Sequence, residues 1–185
     1  MENKLYTITI FSENSVGLLS RVSLIFTRRG INIESISASS CSIPGVTKWI
    51  ITAVTNRELL DQVAKQVERC IEVLKVFVYD DDEIIYQEVA LYKIETNLLF
   101  DEPHVESIIR KHSARILEIK RDFTVIEKTG HYRETEALFE ELKRFNLKQF
   151  VRSGRVIVTQ SPNEYITDYL VEQNRRIDRI NDAND

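Results

Sequence analysis

The 185-residue chain is 43% hydrophobic and 29% charged with a net charge of −4, the composition of a soluble globular protein with room for one large or two small domains. A net acidic chain with no organised basic patch argues against a nucleic-acid partner. No apolar run approaches the roughly 20 residues that cross a bilayer and "MENKLYTITIF" lacks the apolar core of a signal peptide, so a cytoplasmic protein without a membrane partner is expected, with Cys41 and Cys70 as free, buried thiols.

Leu5–Phe11 alternates, with Tyr6, Ile8 and Ile10 on one side and Thr7 and Thr9 on the other, which predicts a half-buried strand. From Gly17 to Arg29 the period lengthens, and Leu18, Leu19, Val22, Ile25 and Phe26 share one helical face. Arg28 and Arg29 suit the negative end of that helix, and Gly30 suits the left-handed position after it. Ile31–Ala38 and Val46–Val54 read as further strands, with "CSIPG" turning between them. Thr55 and Glu58 have capping-box spacing ahead of a helix over 56–70, and Ile71–Tyr79 is a fourth strand. The order β-α-β-β-α-β is the split βαβ of ferredoxin-like folds, with two helices on one face of an antiparallel sheet.

The acidic run "DDDE" (Asp80 to Glu83) has neither the spacing nor the glycine of a calcium loop and reads as a solvated linker. After it the order repeats. Ile84–Ile94 is a strand, and Asp101 with Pro103 starts a helix carrying Val105, Ile108 and Ile109. Arg115–Lys120 and Phe123–Lys128 are short strands, Tyr132–Phe145 is a helix, and Gln149–Thr159 closes the set as one strand. The expected fold is α+β, two tandem ferredoxin-like βαββαβ domains over 1–80 and 81–161, followed by a charged tail over 162–185. In that tail Tyr165, Ile166, Tyr169 and Leu170 make one apolar patch, and the chain past Gln173 is expected to fray.

Signals of catalysis are missing. There is no GxSxG, no Cys–His pair, no GxxxxGK and no GxGxxG among the five glycines. His104 and His112 lie on one predicted helix, separated by a rise of about 12 Å, too far to share a metal ion. Glu13, Glu34 and Glu88 stand as isolated carboxylates, two of them expected in solvent. No catalytic or metal-binding residue is assigned.

The informative residues are Asn14, Gly17 and Asn32, at the joints around the first helix. Asn14 or Ser15 as a helix cap and Asn32 after a glycine turn would be ordinary local chemistry. The same geometry also suits a ligand: a helix start offers free N–H groups to a carboxylate. Glycine lets a ligand approach the backbone, and an asparagine amide serves both an ammonium and a carboxylate. A free amino acid fits such a corner.

"ENSVGLLSRVSLIFTRRGINIESI" closely resembles the start of an ACT domain, specifically that of the regulatory small subunits of acetohydroxyacid synthase, also called acetolactate synthase. Glu13, Asn14, Gly17, Leu19, Ser20, Arg21, Val22, Arg29, Gly30, Asn32, Ile33, Glu34 and Ser35 all stand at the family's positions. "VTKWIITAV" and "KQVERCIEVLKVFVY" extend the likeness through the first domain, with Lys48 where an arginine is commoner. In the second half it rests on "VALYKI", "ARILEI" and "FVRSGRVIV", while "TQSP" replaces the family's Arg-Gly ending.

The resemblance implies a non-catalytic subunit that dimerises through its ACT domains. It also implies a bound branched-chain amino acid, usually valine, at the dimer interface. Such a subunit activates a large catalytic subunit and makes it sensitive to feedback inhibition in branched-chain amino acid biosynthesis. Thiamine diphosphate, Mg²⁺ and FAD are expected on that catalytic subunit and no cofactor on this chain. Asn14, Val16, Gly17, Leu18, Asn32 and Ile33 are the implied effector-binding residues, and Arg152 is a candidate contact to the catalytic subunit. Two other readings are an amino-acid sensor for a different enzyme and an enzyme on a ferredoxin-like scaffold. A co-purifying thiamine-diphosphate-dependent partner separates the first, and turnover of pyruvate by the chain alone the second.

Overall fold

In the computed structural model, which describes residues 3–162 and 164–182, the alternation of the first strand, β1 (Lys4–Glu13), turns Tyr6, Ile8 and Ile10 into a core. β1 lies between β3 (Val46–Thr55) and β4 (Val73–Tyr79), and β2 (Ile33–Ser40) pairs with β3, giving the antiparallel order β2-β3-β1-β4. Two helices, α1 (Leu18–Arg28) and α2 (Arg57–Val67), cover one face. From α1 the residues Leu18, Val22, Ile25 and Phe26 are buried, and from α2 Leu60, Val63 and Val67. Leu19, expected on the apolar face, is 48% exposed, because it lies at the edge of the stripe formed by Leu18, Val22, Ile25 and Phe26. Gly30 ends α1 at φ +66°: its N–H donates to Thr27 O, and the Ile31 N–H to Phe26 O. That bond pair is the Schellman arrangement, which favours glycine for its positive φ.

The cap of α2 differs from expectation. Asn56, not Thr55, accepts the Leu59 N–H at 2.9 Å, because Thr55 still pairs with Lys4 in the ladder and the next residue is the first free to take the cap.

A larger difference concerns the other face of this sheet. Thr7 and Thr9 are 0% and 1% exposed, so β1 is buried on both sides. The C-terminal segment provides the cover. The helix α6 (Tyr165–Asp182) places Ile166, fully buried, against Phe11 and Val46, with Tyr169 and Leu170 beside it. The segment expected to fray past Gln173 continues as helix to Asp182. The chain accordingly divides into Met1–Ile85 with Ile157–Asp185, and Tyr86–Val156. The acidic run is also less free than a solvated linker. It forms a 3-10 turn over Asp81–Glu83, and Asp80 pairs with Lys4 at 2.5 Å and Arg57 at 3.6 Å. Cys41 and Cys70 are free thiols, half-buried and not fully buried.

The second unit repeats the order. β5 (Ile84–Glu95) is followed by a short α3 (Asn97–Asp101), α4 (Pro103–Lys111), β6 (Arg115–Ile119), β7 (Phe123–Gly130), α5 (Tyr132–Leu142) and β8 (Gln149–Arg152). The sheet order β6-β7-β5-β8 has the same topology as the first. Its core is built on Tyr92, Ile94, Val105, Ile126, Leu138 and Leu142. The strand expected over 149–159 is broken into β8 and β9 (Val156–Thr159). Ser153 makes the break: its backbone N–H donates to Val89 O at 2.8 Å, and its hydroxyl takes the Val89 N–H at 2.9 Å. A side chain thereby does the work of a ladder bond where the strand breaks, and β9 then pairs with β5 again. No helix among the described residues is long and apolar enough to cross a membrane.

Candidate functional site

The loop joining β1 to α1 is built for exposure of its backbone. Asn14, Val16 and Gly17 are exposed, and Gly17 occupies the N-cap of α1 at φ +83° with no side chain capping the helix. Neither Asn14 nor Ser15 takes the cap, so the first-turn N–H groups, which have no intrahelical acceptors, receive no side-chain oxygen. Leu18 packs its side chain in the core, leaving only its backbone for a ligand.

The loop is fastened from a distance. The Glu13 N–H donates to Glu72 O at 2.9 Å, and Arg21 on α1 pairs with the Glu72 carboxylate at 2.5 Å. The hydrogen bond from Arg21 holds the Glu72 carboxyl below the usual carboxylate range. Arg21 belongs to the quoted motif, but its partner lies 51 residues away, and no local sequence signal marks Glu72.

Asn32 and Ile33 stand elsewhere. Asn32 is exposed and its amide donates to Glu34 at 2.9 Å, while Ile33 is half-buried against the first core. Ile33 is level with Ala53, which pairs with Tyr6, whereas the loop follows Glu13. Seven rungs of ladder separate those levels, roughly 24 Å at strand spacing. One chain therefore holds the two halves of the expected site at opposite ends of its sheet. The strand carrying Asn32 and Ile33 into the sheet, β2, is at an edge.

Arg152 is engaged inside its own unit. It pairs with Glu136 at 2.5 Å, lies 3.7 Å from Glu88, and stacks over Tyr132 at 4.3 Å. Glu88 is not the isolated carboxylate expected: it is 6% exposed, with Arg155 also 3.8 Å away. Burial raises its carboxyl above the ordinary range, and Arg152, Arg155 and His131 draw it partly back. The folded unit thus keeps this proton to higher pH than the unfolded chain does. That contribution to stability is complete below the ordinary carboxylate pKa and is lost as pH rises through the raised value. Arg152→Met removes one attracting charge and extends the loss. A cost of about 3–5 kcal/mol is expected at neutral pH and a smaller one near pH 4. Urea titrations at the two pH values check this, and equal losses would remove Glu88 from the explanation. Among the described residues no three His, Cys, Asp or Glu side chains gather where a metal ion could sit.

Comparison with known proteins finds similarity along both halves of the chain. A family model described as an acetohydroxyacid synthase small subunit-like ACT domain matches residues 8–75, and one described as the small subunit of acetolactate synthase matches 87–161. The acetolactate synthase small subunit of Bacillus subtilis is 32% identical over 148 residues, covering 80% of this chain and 86% of that protein. That of Mycobacterium bovis is 27% identical over 162 residues, covering 88% and 96%. The crystal structure of the acetolactate synthase small subunit from Thermotoga maritima superposes with a TM-score of 0.77 at 24% identity, over 86% of this chain and 99% of that one, a likeness in fold. With an ACT unit, a second unit of matching topology and relatives that share nearly the full length, this chain belongs to the family of small, regulatory subunits of acetolactate synthase.

Proposed function

We propose that this chain is the non-catalytic regulatory subunit of a cytoplasmic acetolactate synthase, activating the catalytic subunit and conferring inhibition by valine or another branched-chain amino acid. The observation that carries the reading is the division of the motif between the two ends of the first sheet. Ser40, at the far end of β2, is level with Thr47 and so with Ser12, next to the exposed loop. If two copies pair their β2 edges antiparallel, the Asn32 end of one strand lies beside the Asn14–Gly17 loop of the other. Two half-sites become two whole ones. The same pairing covers an edge whose free N–H and C=O groups are otherwise a liability, together with exposed Ile36.

In this arrangement the Asn14 amide and the Gly17 backbone hold the charged groups of the amino acid, beside Val16 and the Leu18 N–H. Asn32 and Ile33 approach from the partner. The catalytic subunit supplies thiamine diphosphate, Mg²⁺ and FAD and condenses pyruvate with pyruvate or 2-oxobutyrate. This chain acts by binding active and inactive arrangements of the complex with different affinity, and valine shifts that balance. The second unit passes on the sensor's state, and Arg152, held by Glu136 within that unit, is the candidate contact to the catalytic subunit.

Reconstitution with the catalytic subunit of the same genome, with and without valine, leucine and isoleucine, tests the reading. Failure to raise the catalytic rate overturns it. Hydrogen bonds to charged groups are worth about 1.5–3 kcal/mol, so Asn14→Ala or Asn32→Ala should each weaken valine binding about 10- to 100-fold. Calorimetry reads this directly, and unchanged affinity in both variants removes the pocket. Light scattering at micromolar concentration should show a dimer or larger assembly without the catalytic subunit. A monomer in the presence of valine contradicts the shared site.

A further inference from the structure

The face of the first sheet turned away from α1 and α2 holds a cavity of about 270 Å³ between the strands and residues 157–162 and 164–166. Its walls are aromatic. Phe77 stands edge-on to Phe11 at 6.0 Å and lies 5.8 Å from Tyr165, with Tyr79 stacked beside it at 6.2 Å. Two opposite charges enter the same space: Lys48 Nζ lies 3.1 Å from Glu164 Oε1, both side chains partly shielded from water. The Thr9 hydroxyl also lines the cavity. It is on a residue 1% exposed, and its oxygen has no hydrogen-bond partner. A buried hydroxyl without a partner is an exception that calls for a ligand or a role.

We infer that this cavity is a second small-molecule site, separate from the loop at Asn14 and Gly17, and that it takes an α-amino acid with an apolar side chain. The charges decide the class. One cation and one anion sum to zero, so a ligand bearing a net charge would bury it uncompensated. A zwitterion turns its carboxylate to Lys48 and the Thr9 hydroxyl and its ammonium to Glu164, leaving four charges in alternation. Its ammonium then lies near ring faces that favour a cation, and its side chain lies against the rings. A carboxylate alone meets Glu164, and an amine alone meets Lys48. Size agrees, because the volume is just below the range of drug-sized pockets and admits an amino acid.

The test uses the full chain carrying Asn14→Ala and Asn32→Ala, so that the first site is silenced. Leucine and phenylalanine are titrated by calorimetry, beside 4-methylpentanoate and 3-methylbutylamine, which each lack one of leucine's charged groups. At least one amino acid should bind. Lys48→Met and Thr9→Val, the second of which keeps the side-chain shape, should each weaken it about 10- to 100-fold. The two single-charge analogues should bind at least about tenfold more weakly than leucine, by the loss of one charged hydrogen bond. No heat with either amino acid at millimolar concentration overturns the proposal, as does binding indifferent to both substitutions. Equal binding of an analogue overturns the zwitterion assignment. If the first site is wrongly placed, Asn14→Ala and Asn32→Ala leave valine affinity unchanged while the Lys48 and Thr9 arms still report on this cavity.

Discussion

Gly17→Asp is expected to abolish the valine response of the reconstituted complex while the chain remains folded. Gly17 sits at φ +83°, and a Cβ built there meets nothing within 4 Å. The cost of an L-residue in that conformation is about 1–2 kcal/mol, and aspartate is among those that visit it most readily. An acid at a helix start recovers about 0.3–1 kcal/mol. Against this small net strain stands the new carboxylate, placed where the effector's own carboxylate is proposed to lie. Two like charges about 4 Å apart near a protein surface repel by about 4 kcal/mol, close to a thousandfold in affinity. Gly17→Asn is the control, with the same backbone demand and no charge, and should keep much of the response. Inhibition curves with circular dichroism check both. If asparagine silences the subunit as completely as aspartate, glycine acts there through its conformation and not through the absence of charge.

The second large effect concerns stability. Ile166→Asp should destabilise the first unit by at least about 4 kcal/mol, the loss of a buried aliphatic side chain plus an unpaired carboxylate in its place. Ile166→Ala should cost about 2–4 kcal/mol. Ile166 packs on Phe11 and Val46, in the same unit as Trp49, the only tryptophan in the chain. Urea unfolding followed by its fluorescence therefore reports on that unit, and an unchanged midpoint would show that the helix is not part of it. A chain ending at Asp82 keeps every strand of the first sheet but uncovers Phe11, Thr9 and Phe77. A loss of valine inhibition in that shortened chain would therefore report on the second unit only once the first unit is shown by circular dichroism to be folded.

Much of the fold follows from periodicity. The alternation of Tyr6, Ile8 and Ile10, the stripe from Leu18 to Phe26 and the glycine after Arg29 each dictate a local structure that packing reinforces. The burial of Thr7 and Thr9 was not legible, because polar side chains on a strand look the same whether water or a helix covers them. The patch of Tyr165, Ile166, Tyr169 and Leu170 was visible as apolar, but nothing in it identifies a partner face carrying Thr9 and Lys48. The Ser153 break was hidden because a hydroxyl substitutes for a backbone acceptor. At the candidate site the motif marked Asn14, Gly17 and Asn32, while the ion pair from Arg21 to Glu72 depends on two segments meeting in space. Distance along the ladder, not any single residue, reveals that within one chain the Asn14–Gly17 loop and Asn32 stand seven rungs apart.

The grouping of residues 157–185 with the first unit makes that unit discontinuous: an entire second unit, 86–156, is inserted into it. On the ribosome all four strands of the first sheet are available once Tyr79 has emerged, but the helix residue that seals Phe11 and Val46 comes 87 positions later. The inserted unit has β5 to β8 and every residue of its core cluster by Arg152 and so is able to complete that core first, reversing the usual order in which N-terminal domains finish before those that follow. Until then the unit made first waits with one face open, a period in which a chaperone or a second nascent copy has access to aromatic surface that the finished protein conceals.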